Sequence, residues 1–458
     1  MFHLLAKLGL SQRTCVYCDV RIEETAESQI VIQNGELTAC QTVSSLGAFV
    51  RVFNNGRWFY CSTTAVSELD AVLAKLIAQS ETLCGVPVVE PLWEPPGHVE
   101  NRSMTDDKNV EIAGADHPLG LKRQLCLDYA GLIEEFPTIA NFELNYRDMR
   151  KIKYFASSTG VSFSATFQQY GFNLNYTLKG ENGAHFSDRF NCFGSCFEDL
   201  RGFADQLRES IRESHAFLTA PIIVPGTYRM ILNNAVVGVF AHESFGHKSE
   251  ADFMIGEGRA MAEWAIGKVV GSPVLSIVDD GLLEGTSGYC PIDDEGTPAE
   301  RTYLIKHGIL CGRLHSLETA KALGECPTGN ARAVNFEFEP IVRMTATYVE
   351  PGDLDFAAML ALVPDGIYVK DFRYGTGMST FTIAPRKCYR IRDGRIAEPV
   401  RVNVISGSVF ETLQNVEACS NDLELFSSAV GGCGKIEQWP LPVSFGGPKV
   451  LVSAMTAS

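Results

Sequence analysis

The chain lacks long apolar runs. Nowhere in its 458 residues is there a stretch of about 18 uninterrupted apolar positions, the minimum for a membrane-spanning helix, so none is expected. Basic residues are in deficit. Thirty-nine Lys and Arg face 55 Asp and Glu, for a formal net charge of −16. No basic stripe interrupts that balance, which argues against nucleic acid as a partner. The opening residues Met1-Phe2-His3-Leu4-Leu5-Ala6-Lys7-Leu8 lack the apolar core and cleavage site of a secretory signal. The 14 cysteines follow no disulfide framework. Cys15-Val16-Tyr17-Cys18 has no second C-x-x-C to complete a zinc site. Placed on a strand, its two thiols point to opposite faces. Cys192 and Cys196, near a helix start, are read as packing. These absences point to a cytoplasmic protein with no membrane partner, its cysteines mostly reduced and buried as small hydrophobes.

What is present suits a globular protein of more than one domain: 45% hydrophobic and 21% charged residues. Residues 1–90 read as a mixed α and β unit. Val16, Cys18, Val20 and Ile22 alternate with Tyr17, Asp19 and Arg21, as in a strand. Asn34-Gly35 and Asn54-Asn55-Gly56 mark two hairpins. Val66, Leu69, Val72, Leu73, Leu76 and Ile77 keep a helical period. Residues 91–118 are polar and proline-bearing and read as a linker. A second α+β unit, a diverged repeat of the first by its order of elements, spans 119–220. It opens with a helix at 121–135 and continues with strands at 161–167 and 172–178. A helix closes it, with Phe197, Leu200, Phe203, Leu207 and Ile211 on one face. From 226 to 458 short strands dominate, at 335–348, 366–372, 388–391 and 399–405, with short helices near Ala260, Glu318 and Leu354. The predicted class is α+β, with a large, mainly antiparallel sheet in the C-terminal domain.

The segment that carries chemistry is His242-Glu243-Ser244-Phe245-Gly246-His247, directly after the apolar run 236–241. Two imidazoles and a carboxylate are the parts of a zinc hydrolase. In H-E-x-x-H the histidines lie four apart, about 40° around a helix, so both reach one metal. Here they lie five apart, about 140° around and about 7.5 Å along an ideal helix. A regular helix aims the rings apart. Either the two histidines are unrelated, one buried and one at the C-terminal end of the helix, or the helix is distorted between them, with Gly246 placed to allow a π-bulge or a helix end.

A catalytic zinc needs a third protein ligand. The residues alone leave it open among His307, His315, acidic residues after 250 and the late cysteines. Cys433 stands out, because flanking glycines let its backbone approach another element closely and Lys435 favours a thiolate; the alternative, which the local sequence by itself favours, is a buried cysteine in a tight turn. Ile292-Asp293-Asp294-Glu295-Gly296-Thr297-Pro298 is acidic but lacks the spacing of a calcium loop, and reads as a solvated turn. Arg373-Tyr374-Gly375-Thr376-Gly377-Met378 has no GK[ST] and is no phosphate loop. It reads as a flexible segment facing substrate.

The chain resembles the TldD/PmbA family of metalloproteases along nearly its whole length. His242–His247 followed by Ser249-Glu250-Ala251-Asp252-Phe253 is similar to the family's HExxxH-x-x-E-x-D-F block. In the same order come Val278-Asp279-Asp280-Gly281, Ile292–Pro298, Leu304–Gly308, Thr328-Gly329-Asn330, Ile405–Ser408 and Cys433-Gly434-Lys435. Gly47-Ala48-Phe49-Val50-Arg51-Val52 is similar to the family's glycine-led strand. The resemblance implies Zn²⁺ held by His242, His247 and Cys433, with Glu243 as general base. It further implies a dimer, either of this chain or with a TldE/PmbA-type subunit, enclosing a cavity reached by unfolded peptide. The complete set of metal residues resembles the catalytic TldD type; the rival is a non-catalytic, peptide-binding or regulatory subunit. A gyrase-linked role is also attached to the family by name, but the acidic balance speaks against direct DNA contact. Tyr374–Phe381 is shorter than the family's usual glycine-rich segment.

Overall fold

The computed structural model describes residues 1–82, 102–106, 117–377 and 379–458. Asn34 and Gly35, at φ 50° and 86°, join β1 (Tyr17–Gln33) to β2 (Glu36–Asn54). Asn55 and Gly56, at φ 51° and 72°, join β2 to β3 (Arg57–Thr63). Both turns take the left-handed pair of residues that matches the twist of the flanking strands. β4 (Arg102–Asp106), β5 (Ile139–Ser157), β6 (Val161–Lys179) and β7 (His185–Gly194) complete one seven-stranded sheet. β1 and β5 lie antiparallel at its centre. On each side a three-stranded meander runs outward and is followed by a helix, Leu69–Glu81 after β3 and Ala204–His215 after β7. The stretches before and after 91–118 thus share a single sheet. Of 91–118 itself, Arg102–Asp106 pairs in parallel with β6, residues 117 and 118 lead into the next helix, and the remainder lies outside the described residues.

The strands are longer than the sequence pattern suggests. Segments 161–167 and 172–178 are parts of one strand, and β5 went unpredicted because Arg147, Asp148, Arg150, Lys151 and Lys153 mask its alternation. The segment 197–211 is divided into a 3-10 turn at Phe197–Leu200 and the helix Ala204–His215, with Gly202 at φ 87° between them. Strands of 17 and 19 residues reach about 55–60 Å at ~3.3 Å per residue. A 13-residue helix covers only about 20 Å. One face of the sheet therefore carries two separate apolar caps. Val20, Ile22, Val50 and Val52 pack under Leu69, Leu73 and Leu76. Ile30, Leu144, Phe172 and Leu174 pack with Leu125, Tyr129, Leu207 and Ile211.

The other face is charged yet buried. Asp19, Arg21 and Glu23 alternate with the core residues of β1 and are no more than 2% exposed. The C-terminal region covers them. Arg51 pairs with Asp19 and with Glu295, Arg21 with Glu23 and Asp294, Lys153 with Asp294 and Lys151 with Glu23. The run 292–298 is therefore no solvated turn. Its carboxylates are drawn inward by cations of the N-terminal sheet. Asp293 meanwhile accepts the backbone N–H groups of Glu295, Thr297 and Ala331.

The C-terminal region builds a nine-stranded and a six-stranded sheet, both mainly antiparallel. Their shared core includes the helix Asn234–Ala241 with Met230, Ile277, Ile305, Ile383 and Val452. The expected strand 335–348 is reduced to Ile341–Val342 and Ala346–Val349, because Asn335 Oδ1 accepts the Glu337 N–H and closes a turn. The expected strand 399–405 is instead the end of Arg395–Val400 and the start of Ile405–Ser408.

Candidate metal centre

The helix Asn234–Ala241 is buried over nearly its full circumference. It continues into a π-turn, His242–Gly246, and a last helical turn, His247–Ser249. The His247 N–H donates to the His242 carbonyl. That i to i+5 bond stacks position 247 over position 242, so the extra residue that spoils a regular helix is absorbed at this point. Gly246 permits it through close packing: a Cβ there would sit 1.8 Å from Met344 Sδ.

Cys433 arrives from 186 residues away, on the strand Cys433–Lys435 paired with Gln438–Leu441. A Cβ on Gly432 would lie 2.4 Å from the Leu441 carbonyl oxygen. The glycine setting thus does let two backbones come together. Arg343, fully buried, donates to the carbonyls of Cys433 and Gln438.

His242, His247 and Cys433 each place one donor atom within 4.8 Å of the others, and they form the one His/Cys/Asp/Glu group of this kind among the described residues. His247 Nε2 lies 3.4 Å from Cys433 Sγ. The imidazole rings stand 5.2 Å apart at 79°. Burial alone would raise the Cys433 thiol, but the two histidines outweigh it and bring it down to about 5. His247 rises to about 10, because Cys433 and Glu250 outweigh the opposing effect of burial. A thiolate and two imidazoles suit zinc, whose ligand atoms stand about 3.5 Å apart in a tetrahedral site. His242 Nδ1 is buried without a hydrogen-bond partner among the described residues.

Glu243, next to His242 on the π-turn, is half-buried. Burial raises its carboxyl, against the opposing pull of His242 and His247. No hydrogen bond ties its carboxylate among the described residues. The segment expected as a flexible loop is a strand over Phe372–Gly377, paired with Thr380–Pro385 and forming one edge of the nine-stranded sheet; Met378 lies outside the described residues. This strand crosses the helix so closely that a Cβ on Gly375 would be 3.6 Å from Glu243 Cγ.

The other candidate ligands are elsewhere. His307, at φ 50°, forms the turn between Arg301–Lys306 and Ile309–Leu310. His315 is held by Glu325 and Thr319. Asp279 receives the hydroxyls of Thr345 and Thr347 and the side-chain amide of Asn330. Cys15 precedes β1, so it is free to turn toward Cys18, whose hydrogen bond lowers the Cys15 thiol; the opposite-face argument does not apply to it. Lys435 does not serve the Cys433 thiol. Its ammonium reaches Glu250 and Asp252 instead, an arrangement without any local signal in the sequence.

Residues 225–458 match the family model of the PmbA/TldA metallopeptidase C-terminal domain, and residues 18–81 match that of PmbA/TldA metallopeptidase domain 1. A metalloprotease of Synechocystis is 31% identical over 453 residues, 97% of this chain and 95% of that protein. A zinc metalloprotease TldD homolog of Saccharolobus solfataricus is 34% identical over 233 residues, 50% of this chain and 51% of the other. Among solved structures, TldE from Thermococcus kodakarensis superposes with a TM-score of 0.79 at 13% identity, covering 99% of each chain, a likeness of fold. No described helix is long and apolar enough to cross a membrane. Agreement that runs through both ends of the sequence, and not only through the histidine segment, makes this chain a member of the TldD/PmbA metallopeptidase family.

Proposed function

We propose that this chain is a zinc-dependent peptidase acting on extended, unfolded peptides, with His242, His247 and Cys433 as metal ligands and Glu243 as general base. The observation that carries the reading is the convergence of two imidazoles and a distant thiol beside a carboxylate with no hydrogen-bond partner among the described residues. The zinc-naming relative supports the choice of metal. The chemistry belongs to the region 226–458, which supplies all four residues.

Zinc held by His242, His247 and Cys433 would supply Lewis acidity toward a scissile carbonyl and lower the pKa of water to near neutral. Glu243 removes the proton as water attacks that carbonyl and returns it to the leaving amine nitrogen. The edge strand Phe372–Gly377 offers backbone hydrogen bonds to a peptide added as a further strand, which gives affinity with little dependence on side chains. Glycines at 375 and 377 keep that edge low over Glu243. The reading extends to a paired assembly around this site, as the family resemblance implies, with a TldE/PmbA-type subunit or a second copy as the other half.

The test is Glu243→Gln. Cleavage of an unstructured peptide should fall by about 10²–10⁴ while one zinc per chain is retained. Wild-type cleavage by this variant would remove Glu243 from the reaction. Wild-type protein that binds no zinc would favour the non-catalytic subunit.

A further inference from the structure

We infer that Glu250, braced by Lys435, is the positioning residue of this centre. It holds His247 with Nδ1 as the hydrogen-bond donor and Nε2 directed at Cys433. The inference rests on the zinc reading above.

Glu250 is the first residue after the last helical turn, with ψ at 110°. The reversal brings its side chain back onto His247, three residues earlier. Glu250 Oε2 lies 3.1 Å from His247 Nδ1 and the side chain is completely buried. The neighbouring backbone is fixed as well, since the Ala251 N–H donates to the Leu314 carbonyl. A carboxylate on one nitrogen of an imidazole selects which nitrogen remains for a metal. Here the nitrogen left over is the one 3.4 Å from Cys433 Sγ.

Lys435 closes the arrangement from the other side of the site. It lies two residues beyond Cys433 on the same short strand. Its ammonium is 3.1 Å from that same Oε2, 2.7 Å and 2.8 Å from the two Asp252 oxygens and 2.8 Å from the Val342 carbonyl. One carboxylate oxygen therefore touches both the histidine and the lysine. The chain of contacts from His247 through Glu250 to Lys435 joins the helix that carries both imidazoles to the strand that carries the thiol. His242 has no such brace, since its Nδ1 has no hydrogen-bond partner among the described residues. The two histidines are therefore held differently, one by a carboxylate and one by packing against Phe445 and His247.

Glu250→Ala separates positioning from folding, because Lys435 keeps Asp252 and Val342 in that variant. Zinc affinity, measured by competition with a chelator, should fall about 10–100-fold. Turnover should fall with it, and KM for peptide should hold. Glu250→Gln, whose amide oxygen still accepts from Nδ1, should recover most of the affinity. In zinc-loaded wild type, imidazole ¹⁵N spectra should show the His247 proton on Nδ1. A merely structural role predicts a lower melting temperature with unchanged zinc affinity. Folded Glu250→Ala with zinc affinity within about twofold of wild type would overturn the inference and leave the zinc reading standing. If wild type and His242→Ala alike hold no zinc, the zinc reading falls, and this inference with it.

Discussion

Lys153→Met tests whether the buried charges between the N-terminal sheet and the C-terminal region carry stability. Lys153 Nζ lies 2.6 Å from Asp294 Oδ1, and the two residues are 7% and 2% exposed. Without the ammonium, Asp294 keeps the Ala333 N–H at 2.8 Å and the Arg21 guanidinium at 3.6 Å. Removing one partner of such a pair costs about 3–5 kcal/mol, because a buried charge is left poorly compensated. Lys153→Met/Asp294→Asn removes the stranded charge as well and should be more stable than Lys153→Met alone. The assay is urea denaturation, with hydrogen exchange of the β1 and β5 amides to place the loss at this contact. The pH dependence gives an independent check. Burial alone would raise the Asp294 carboxyl, but Lys153 and Arg21 hold it below the usual range. A depressed carboxylate contributes fully above its unfolded pKa of about 3.9 and loses that contribution as pH falls through its folded value. In Lys153→Met the same carboxyl titrates higher, so the deficit should be full at pH 7 and shrink on acidification. A Lys153→Met protein within about 0.5 kcal/mol of wild type at pH 7, the range of ordinary surface changes, would refute the reasoning.

Gly246→Ala should cost about 1–3 kcal/mol through the clash with Met344 and lower zinc content, while Met344→Ala in the same chain should relieve the clash; melting temperatures and zinc per chain decide it. Cys433→Ala should keep wild-type circular dichroism and lose stoichiometric zinc on dialysis, and retention of tight zinc would remove the thiol from the site. Asp188 accepts hydrogen bonds from Tyr176 and Ser214 and pairs with Lys387. Asp188→Asn should cost about 1–3 kcal/mol at pH 7, less than Lys153→Met because Lys387 keeps Glu213. Burial alone would raise the Asp188 carboxyl, but Lys387 and Arg386 hold it low, so that difference should fade below about pH 4; urea midpoints across pH report it.

Local chemistry was legible in the sequence and long-range pairing was not. Asn34-Gly35 and Asn55-Gly56 declare their hairpins because few other residues accept that backbone. The five-residue spacing of His242 and His247, with Gly246 before the second, calls for a π-turn or a helix end if the two rings are to meet. Cys433, by contrast, enters the site through a resemblance, because nothing in Gly432-Cys433-Gly434 says which element its backbone will meet. The alternation in β1 correctly separates Val20 and Ile22 from Asp19 and Arg21. It does not reveal that the polar side is covered too. A charged face is ordinarily a wet face, and the partner acids Asp294 and Glu295, more than 240 residues along the chain from Arg21 and Arg51, help make this one dry. Lys435 was misread for the same reason, since its carboxylate partners precede it by 183 and 185 residues.

The π-turn has a consequence for how histidine pairs on helices are compared between proteins. Deleting one residue between the two imidazoles would leave histidines four apart, and an ordinary helix would then bring the same rings together. The two spacings are thus alternative spellings of one constellation, differing by a single insertion that the backbone swallows within one turn. Sequence patterns that count residues treat them as strangers. Comparison of ring positions and carbonyl hydrogen bonds would group them.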